Sequence, residues 1–467
     1  PHITYQQTGR YVMKSNAELT EEYFAIARSL DGDIRGRRAA YSYMQNSTAI
    51  VHHKVVASSF IPRLFNDESW TTFKYIAETT HAILCKVIEH YLTHPSYRTI
   101  FSYDKRLEEL ILLPRGYEDT LPFARIDVFL NEDDLSCGFC EFNGDGSAGM
   151  NENREITNSI TSTDTFKRFS QTHQVEPCEL FESWVLKFID IFKRSNHYTP
   201  QARFAICDYL ECGVVDEFKV FAEYFKQQGF DCVVCDVRDL QFDGSVLLDK
   251  EGKQINAIWR RCVTNDVLDF WDESQDLIEA LRHEAVALIG SFAGHIVHDK
   301  QIFEALYHPE TKAFLTEEEN AFIERHVPRT VFLNDQDIDL EEIRSNKDAW
   351  IIKPTDNYGA RDVYAGLSYS QSEWEELIQR FANEASGAPF IAQTYITPFK
   401  THTLAPDTHI EELNDDDIDL QGKWYNNLNG LYLYNGEFQG IFSRLGPLPT
   451  ISKEHQGMTA ATLHVRG

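Results

Sequence analysis

A mixed α+β and α/β chain of several units is what this sequence predicts, and three patterns predict it. Residues up to about 115 place apolar side chains at helical spacing, residues 201–260 alternate strand, helix and strand, and the stretches 123–149, 350–396 and 428–446 read as strand pairs with turn residues between them. A chain of 467 residues is long for one core, and a prior of roughly one domain per ~150 residues gives about three units.

Composition narrows the class. The 42% hydrophobic and 25% charged content is ordinary for a globular protein, and neither a repeat nor a low-complexity tract interrupts it. Apolar runs are too short and too broken by charge to cross a membrane, and PHITYQQTGRYVMKSN lacks the apolar core of a signal peptide, so the expectation is a soluble, cytoplasmic protein. A formal charge of −29 disfavours nucleic acid or an anionic membrane as partner and suits a cationic ligand. The nine cysteines are scattered rather than framed for disulfides. Two CxxC pairs, Cys137/Cys140 and Cys232/Cys235, fall in β-type runs where positions i and i+3 face opposite ways, so they read as core residues and not as a zinc set.

Taken in order, TEEYFAIARSL opens a helix with Thr20 as its cap, and TTFKYIAETTHAILCKVIEHYL is a core helix. Arg35, Arg37 and Arg38 form a basic loop cluster that suits a phosphate but reads first as solvated surface. FARIDVFL, the polar turn NEDDLS and GFCEFN then make a hairpin ending in the glycine-rich GDGSAG. Strand alternation puts Arg125 and Asp127 on one face with Phe123 and Phe129, and Glu141 and Asn143 on a face with Phe139. Asp, Glu and Asn oxygens on adjacent strands are the hard ligands that Mg²⁺ takes, and an arginine beside them suits a phosphate or a developing oxyanion. The alternative is an ordinary arginine–carboxylate network.

Residues 151–176 are polar, and CELFESWVLKFIDIFKRS is an amphipathic helix. ARFAICDY, DEFKVFAEYFKQQGF and DCVVCDV give strand, helix and strand, a βαβ, Rossmann-like unit without the GxGxxG of a dinucleotide site, followed by a hairpin turning at Glu251-Gly252. Arg260 and Arg261 end that unit and meet either a ligand or the carboxylates Asp266, Asp269 and Asp272. His295 and His298 read as ordinary loop or cap histidines before Lys300. WIIK delivers Lys353, the loop from Pro354 to Ala360 folds over a nucleotide, SQSEWEELIQRFANEA is a capped helix, and FIAQTYI is a strand. EELNDDDID reads as a solvated loop; a hairpin turning at Asn435-Gly436 follows, with Phe438, Gly440, Phe442 and Arg444 on one face.

The order of these pieces resembles the circularly permuted ATP-grasp ligases, most of all the synthetase part of glutathionylspermidine synthetases. The matching residues are Arg125-Ile126-Asp127, Glu141-Phe142-Asn143 with Asp145, the unit ending in an arginine pair, Asp299-Lys300-Gln301, Lys353-Pro354 through Gly359, Gln393-Thr394-Tyr395-Ile396 and Arg444. The resemblance covers roughly residues 115–467. It implies a helical N-terminal region (1–115), a metal-binding half of an ATP-grasp core (116–200), an inserted Rossmann-like pre-ATP-grasp unit (201–295), a nucleotide-binding subdomain (296–405) and C-terminal strands that complete the core (406–467). It also implies roles. Lys300 and Lys353 hold ATP phosphates, the backbone around Gln393 and Tyr395 reads adenine, Asp127, Glu141 and Asn143 hold Mg²⁺, Arg125 and Arg444 stabilise an oxyanion, and Ser147 and Arg260 contact substrate. The activity implied is an ATP-dependent carboxylate–amine ligase, which joins a peptide-like or amino-acid carboxylate to an amine through an acyl phosphate. An ATP-dependent phosphotransferase, an amino-acid ligase that modifies proteins and a non-catalytic nucleotide-binding scaffold are the alternatives.

Overall fold

The strand Phe123–Leu130 sends Ala124, Ile126 and Val128 to one face, and the helix Asp67–Thr93 presents Phe73, Ile76, Ala77, Leu84, Val87 and Ile88 at helical spacing. These residues bury one another in one core, and burial of each such side chain contributes roughly 1.5–3 kcal/mol. The opposite face of the strand is therefore left for polar groups. The computed structural model describes residues 12–356, 360–383 and 389–467. The N-terminal 1–11, the Asn357–Gly359 part of the loop after Lys353 and the end of the 370–385 helix segment lie outside the described residues.

The 123–130 strand lies inside a six-stranded antiparallel sheet, one strand from its edge. Cys137–Asn143 pairs with one of its edges and Lys423–Tyr434 with the other; Glu437–Gly446 and Met458–Ala460 follow, and Lys400–Thr403 also pairs with the 423–434 strand. Asn435 and Gly436, both at positive φ, make the tight turn between the two long strands. Two bulges correct the expected faces. Asp127 pairs with Glu141 but Val128 with Phe139, so Cys140 is the extra residue and Phe139 joins Phe142 in the apolar core, opposite to Glu141. Tyr432 pairs with Gly440 but Leu433 with Phe438, so Phe438 also leaves the face of Phe442 and Arg444 and packs on Trp70.

Residues 203–289 form a parallel sheet in the order Ala287–Ile289, Ala257–Arg260, Arg203–Asp208, Asp231–Asp236. Its two faces bury separate cores, with Cys232 in one and Cys235 in the other, as the strand alternation of a CxxC requires. A second antiparallel sheet, in the order Thr330–Phe332, Phe390–Thr394, Trp350–Pro354, Tyr364–Ala365, is backed by the helix Gln371–Phe381, whose Ser370 and Glu373 form a capping box. The strand Thr462–Arg466 pairs with Arg63–Phe65 and Gln174–Pro177.

Local readings also change. The first helix begins a turn before Thr20, at Asn16, with Ser15 and Glu18 as its capping box. The polar stretch after Gly149 holds two helices, Met150–Thr161 and Asp164–Thr172. Arg37 and Arg38 lie in the helix Ile34–Gln45 rather than in a solvated loop. Arg37 is buried and grips Asp407, just before the acidic run, with two hydrogen bonds of 2.6 and 2.9 Å, and Arg38 pairs with Asp415 of the run at 2.8 Å. No helix among the described residues is long and apolar enough to cross a membrane.

Candidate active site

The polar face of the central sheet gathers Arg125, Asp127, Glu141 and Arg444. Asp127 is fully buried; Arg125 Nε donates to its Oδ1 at 2.8 Å and Arg125 Nη2 to its Oδ2 at 3.2 Å, while Arg444 Nη2 donates to Oδ2 as well. Arg125 also donates to the Ala148 carbonyl at 2.9 Å, and both guanidiniums lie over the Phe442 ring, at 5.3 and 5.8 Å. Room for this packing comes from Gly430 on the neighbouring strand. A Cβ there would stand 2.8 Å from Arg125 Cδ and 2.9 Å from Asp127 Oδ1.

The two lysines arrive from the other sheet and from the turn before it. Lys300 Nζ lies 3.6 Å from Glu141. Lys353 Nζ donates to Gln393 Oε1 at 2.9 Å and to the carbonyl of the bulged Cys140 at 3.3 Å. The bulge thus joins the hairpin to a lysine more than 200 residues later in the chain. Gln393 is itself held, its Nε2 donating to Thr330 Oγ1 at 2.9 Å. The Tyr395 N–H is taken by the Ala349 carbonyl at 2.7 Å, and its hydroxyl donates to the Pro449 carbonyl at 3.4 Å.

Two cavities meet at these side chains. One is a cleft of about 840 Å³, open to solvent, with Lys300, Lys353, Gln393 and Tyr395 on its walls and Ile351, Ile396, Leu428 and Ile451 as apolar surface. The other, of about 830 Å³, runs toward the parallel sheet and is lined by Arg125, Asn143, Ser147, Asp208, Arg261 and Asp266. Glu141 and Arg444 line both. Arg444 Nε and Arg261 Nε are buried without a hydrogen-bond acceptor in the protein, and so is Asn143 Nδ2.

Arg260 does not reach either cavity. It is engaged with Asp145 and with the carbonyls of Gly290, Cys262 and Ser291. Its neighbour Arg261 points the other way, as strand alternation dictates, pairs with Glu217 at 3.6 Å and reaches the cavity that the sequence reading offered to Arg260. Among the described residues, Asp266 forms no ion pair with either arginine; the carboxylates that Arg260 and Arg261 meet are Asp145 and Glu217 instead. Ser147 is buried at the wall, its hydroxyl donating to the Asn143 carbonyl at 3.2 Å.

Residues 146–422, more than half of the sequence, match the family described as circularly permuted ATP-grasp type 2. The chain belongs to the circularly permuted ATP-grasp family. Among solved structures, this ATP-grasp chain is similar to a glutathione synthetase-like effector from Globodera pallida in apoform, at 9% identity over 92% of this chain and 96% of that one, with a TM-score of 0.55, which shows the shared fold. It also aligns with a putative gamma-glutamylcysteine synthetase from Methylobacillus flagellatus KT, at 12% identity over 83% and 88% of the two chains with a TM-score of 0.41. No curated protein matches the sequence. The family span begins at Gly146, so the ATP-grasp chain's Arg125, Asp127, Glu141, Asn143 and Arg444 lie outside it and join the site through the fold.

The electrostatics of this ATP-grasp site are uneven. Burial pushes the Asp127 carboxyl up even with Arg125 and Arg444 beside it. Burial would also raise Glu141, yet Lys300 and then Arg444 hold it well below the usual carboxylate range. In the second cavity, burial drives Asp208 up to about 7 against the pull of Arg261, and burial with Asp269 and Asp145 lifts Asp266 to about 6. Sequence reasoning missed Asp208, although it ends the first strand of the parallel sheet, where ligands of such sheets bind.

Proposed function

We propose that this protein is an ATP-dependent ligase that activates a carboxylate as its acyl phosphate and passes the acyl group to an amine. The observation that carries the reading is the shared wall. Glu141 and Arg444 border both cavities, so a phosphate entering from one side and a carboxylate from the other meet at the same charges. The reading assigns nucleotide handling to 296–405, with Lys300 and Lys353 against the phosphates and Gln393 fixing Lys353, and the metal half to 116–200.

The side chains suit Mg²⁺. Asp127 and Glu141 stand directly opposite each other across the strands, with Asn143 two residues along on the wall of the second cavity, and carboxylate and amide oxygens are the hard donors that Mg²⁺ takes. Asp127, Glu141 and Asn143 would hold the ion, which supplies neutralisation of the charge on the transferring phosphoryl group. Arg444 and Arg125 hold the substrate carboxylate and then the tetrahedral oxyanion of amide formation. Arg261, with an unsatisfied Nε, offers a second anion contact. Asp266 and Asp208, raised to about 6 and about 7, are poised to take the proton that the attacking amine must lose.

The test is a phosphate-release screen that crosses amino acids and small peptides with amines and polyamines. Release of ADP and phosphate that requires both substrates, and a hydroxamate when hydroxylamine replaces the amine, are expected. AMP as product would overturn the reading, and a stable phosphorylated product would make the protein a phosphotransferase.

A further inference from the structure

Beside the second cavity lies a third, of about 580 Å³, lined by Asp145, Asp266, Asp269, His295, His298 and Asp356 among others. His295, expected as a loop or cap residue, is instead fully buried in the one-turn helix His295–His298, and neither of its ring nitrogens has a hydrogen-bond partner. Carboxylates surround it at a spacing that needs an explanation. Nε2 lies 3.5 Å from Asp356 Oδ2 and 3.7 Å from Asp299 Oδ2, too far for hydrogen bonds, and the three ligand atoms lie within 4.8 Å of one another. A tetrahedral cation with bonds of about 2.0–2.2 Å holds its ligands about 3.3–3.6 Å apart.

We propose that His295 Nε2, Asp299 and Asp356 form a binding site for one divalent transition-metal cation of the zinc type, separate from the Mg²⁺ set of Asp127, Glu141 and Asn143. One imidazole nitrogen with two carboxylate oxygens is a donor set for such an ion, and Mg²⁺ prefers six oxygens. The surroundings are those of a metal-binding histidine. Asp145 Oδ2 faces His295 Nδ1 at 3.6 Å and is itself fixed by the Thr264 N–H at 2.7 Å, which favours the tautomer with Nε2 free to ligate. Asp299 uses Oδ1 to accept the Gln301 N–H at 2.9 Å and keeps Oδ2 for the ion, while Asn265 Nδ2 donates to Asp356 Oδ2. The cation ties Asp356, three residues after Lys353, to the turn that carries Lys300, reinforcing the hydrogen bond from Lys300 N–H to the Thr355 carbonyl at 2.7 Å.

Equilibrium dialysis of the whole protein against Co²⁺ with Mg²⁺ in large excess tests the site without any turnover, so its outcome is independent of the ligase reading. One Co²⁺ per chain, with the intense visible bands of four-coordinate cobalt and displacement by Zn²⁺, is expected. His295→Gln and Asp299→Asn should each weaken uptake by roughly tenfold or more. Substoichiometric uptake by the unaltered protein, the weak bands of six-coordinate cobalt, or equal uptake in both variants would overturn the proposal. Where a variant fails to fold, an anomalous difference map of Co²⁺-soaked crystals decides, by placing or not placing the ion between His295 and Asp356.

Discussion

Asp127 and Glu141 face each other across a strand pair, but substitution should affect them differently. Glu141 touches Lys300 at the edge of two cavities, so Glu141→Gln should remove turnover, by at least about a hundredfold, and leave the thermal midpoint nearly unchanged. Asp127 is the counter-charge of two guanidiniums. Asp127→Ala should abolish turnover and also lower stability by about 3 kcal/mol, because it strands Arg125 and Arg444. Paired phosphate-release assays and denaturant melts separate the two. Asp208 gives a pH prediction. Its carboxyl in the folded protein sits at about 7, above its ordinary value of 3.8, so the folded state holds the proton more tightly and the free protein loses stability as pH rises from about 4 to 7, by at most about 4 kcal/mol. Asp208→Asn should flatten that slope and melt higher than the unaltered protein at pH 8. A pH series of thermal melts on both proteins checks it; identical slopes would remove the assignment. At this scale the sequence was informative where chemistry is unusual. Arg125, Asp127, Glu141 and Lys353 announce themselves as polar groups on apolar strands. The choice between Arg260 and Arg261 turns on strand parity at a strand's last residue, and no composition encodes that.

For the elements, what the sequence hid has specific causes. A bulge shows no residue preference here, and the single extra residues at Cys140 and Gln439 reverse the faces of Phe139 and Phe438. The first helix of 150–172 is hard to read because its buried side is largely polar; Asn153, Thr157 and Ser159 are buried beside Ile156 and Ile160 and dilute the apolar period. The hairpin turn at Asn435-Gly436 and the capped helix at Ser370 were legible, because turn and cap chemistry is local. Gly430 belongs to this scale. Gly430→Ala should leave the 423–434 strand paired yet push Arg125 and Asp127 apart, reducing turnover about tenfold or more with a smaller change in melting temperature. A steady-state assay beside a circular dichroism melt measures both.

Across the whole molecule, the N-terminal helices are fastened to the late chain by charge. Arg37 holds Asp407 with its side chain and the Asp419 carbonyl as well, so Arg37→Ala should cost about 3 kcal/mol and expose residues 405–420 to limited proteolysis before the rest. Pairings 370 residues apart cannot be read from a sequence, where each charge run looks solvated. The same long reach shapes how the protein is made. The strand Phe123–Leu130 lacks its inner neighbour until Lys423–Tyr434 has been synthesised, and at about 5–20 residues per second that delay is roughly 15–60 s. Throughout it, the backbone N–H and C=O groups along that edge of the strand have no partner, which leaves the nascent chain a template for wrong strand pairing until the late strand arrives.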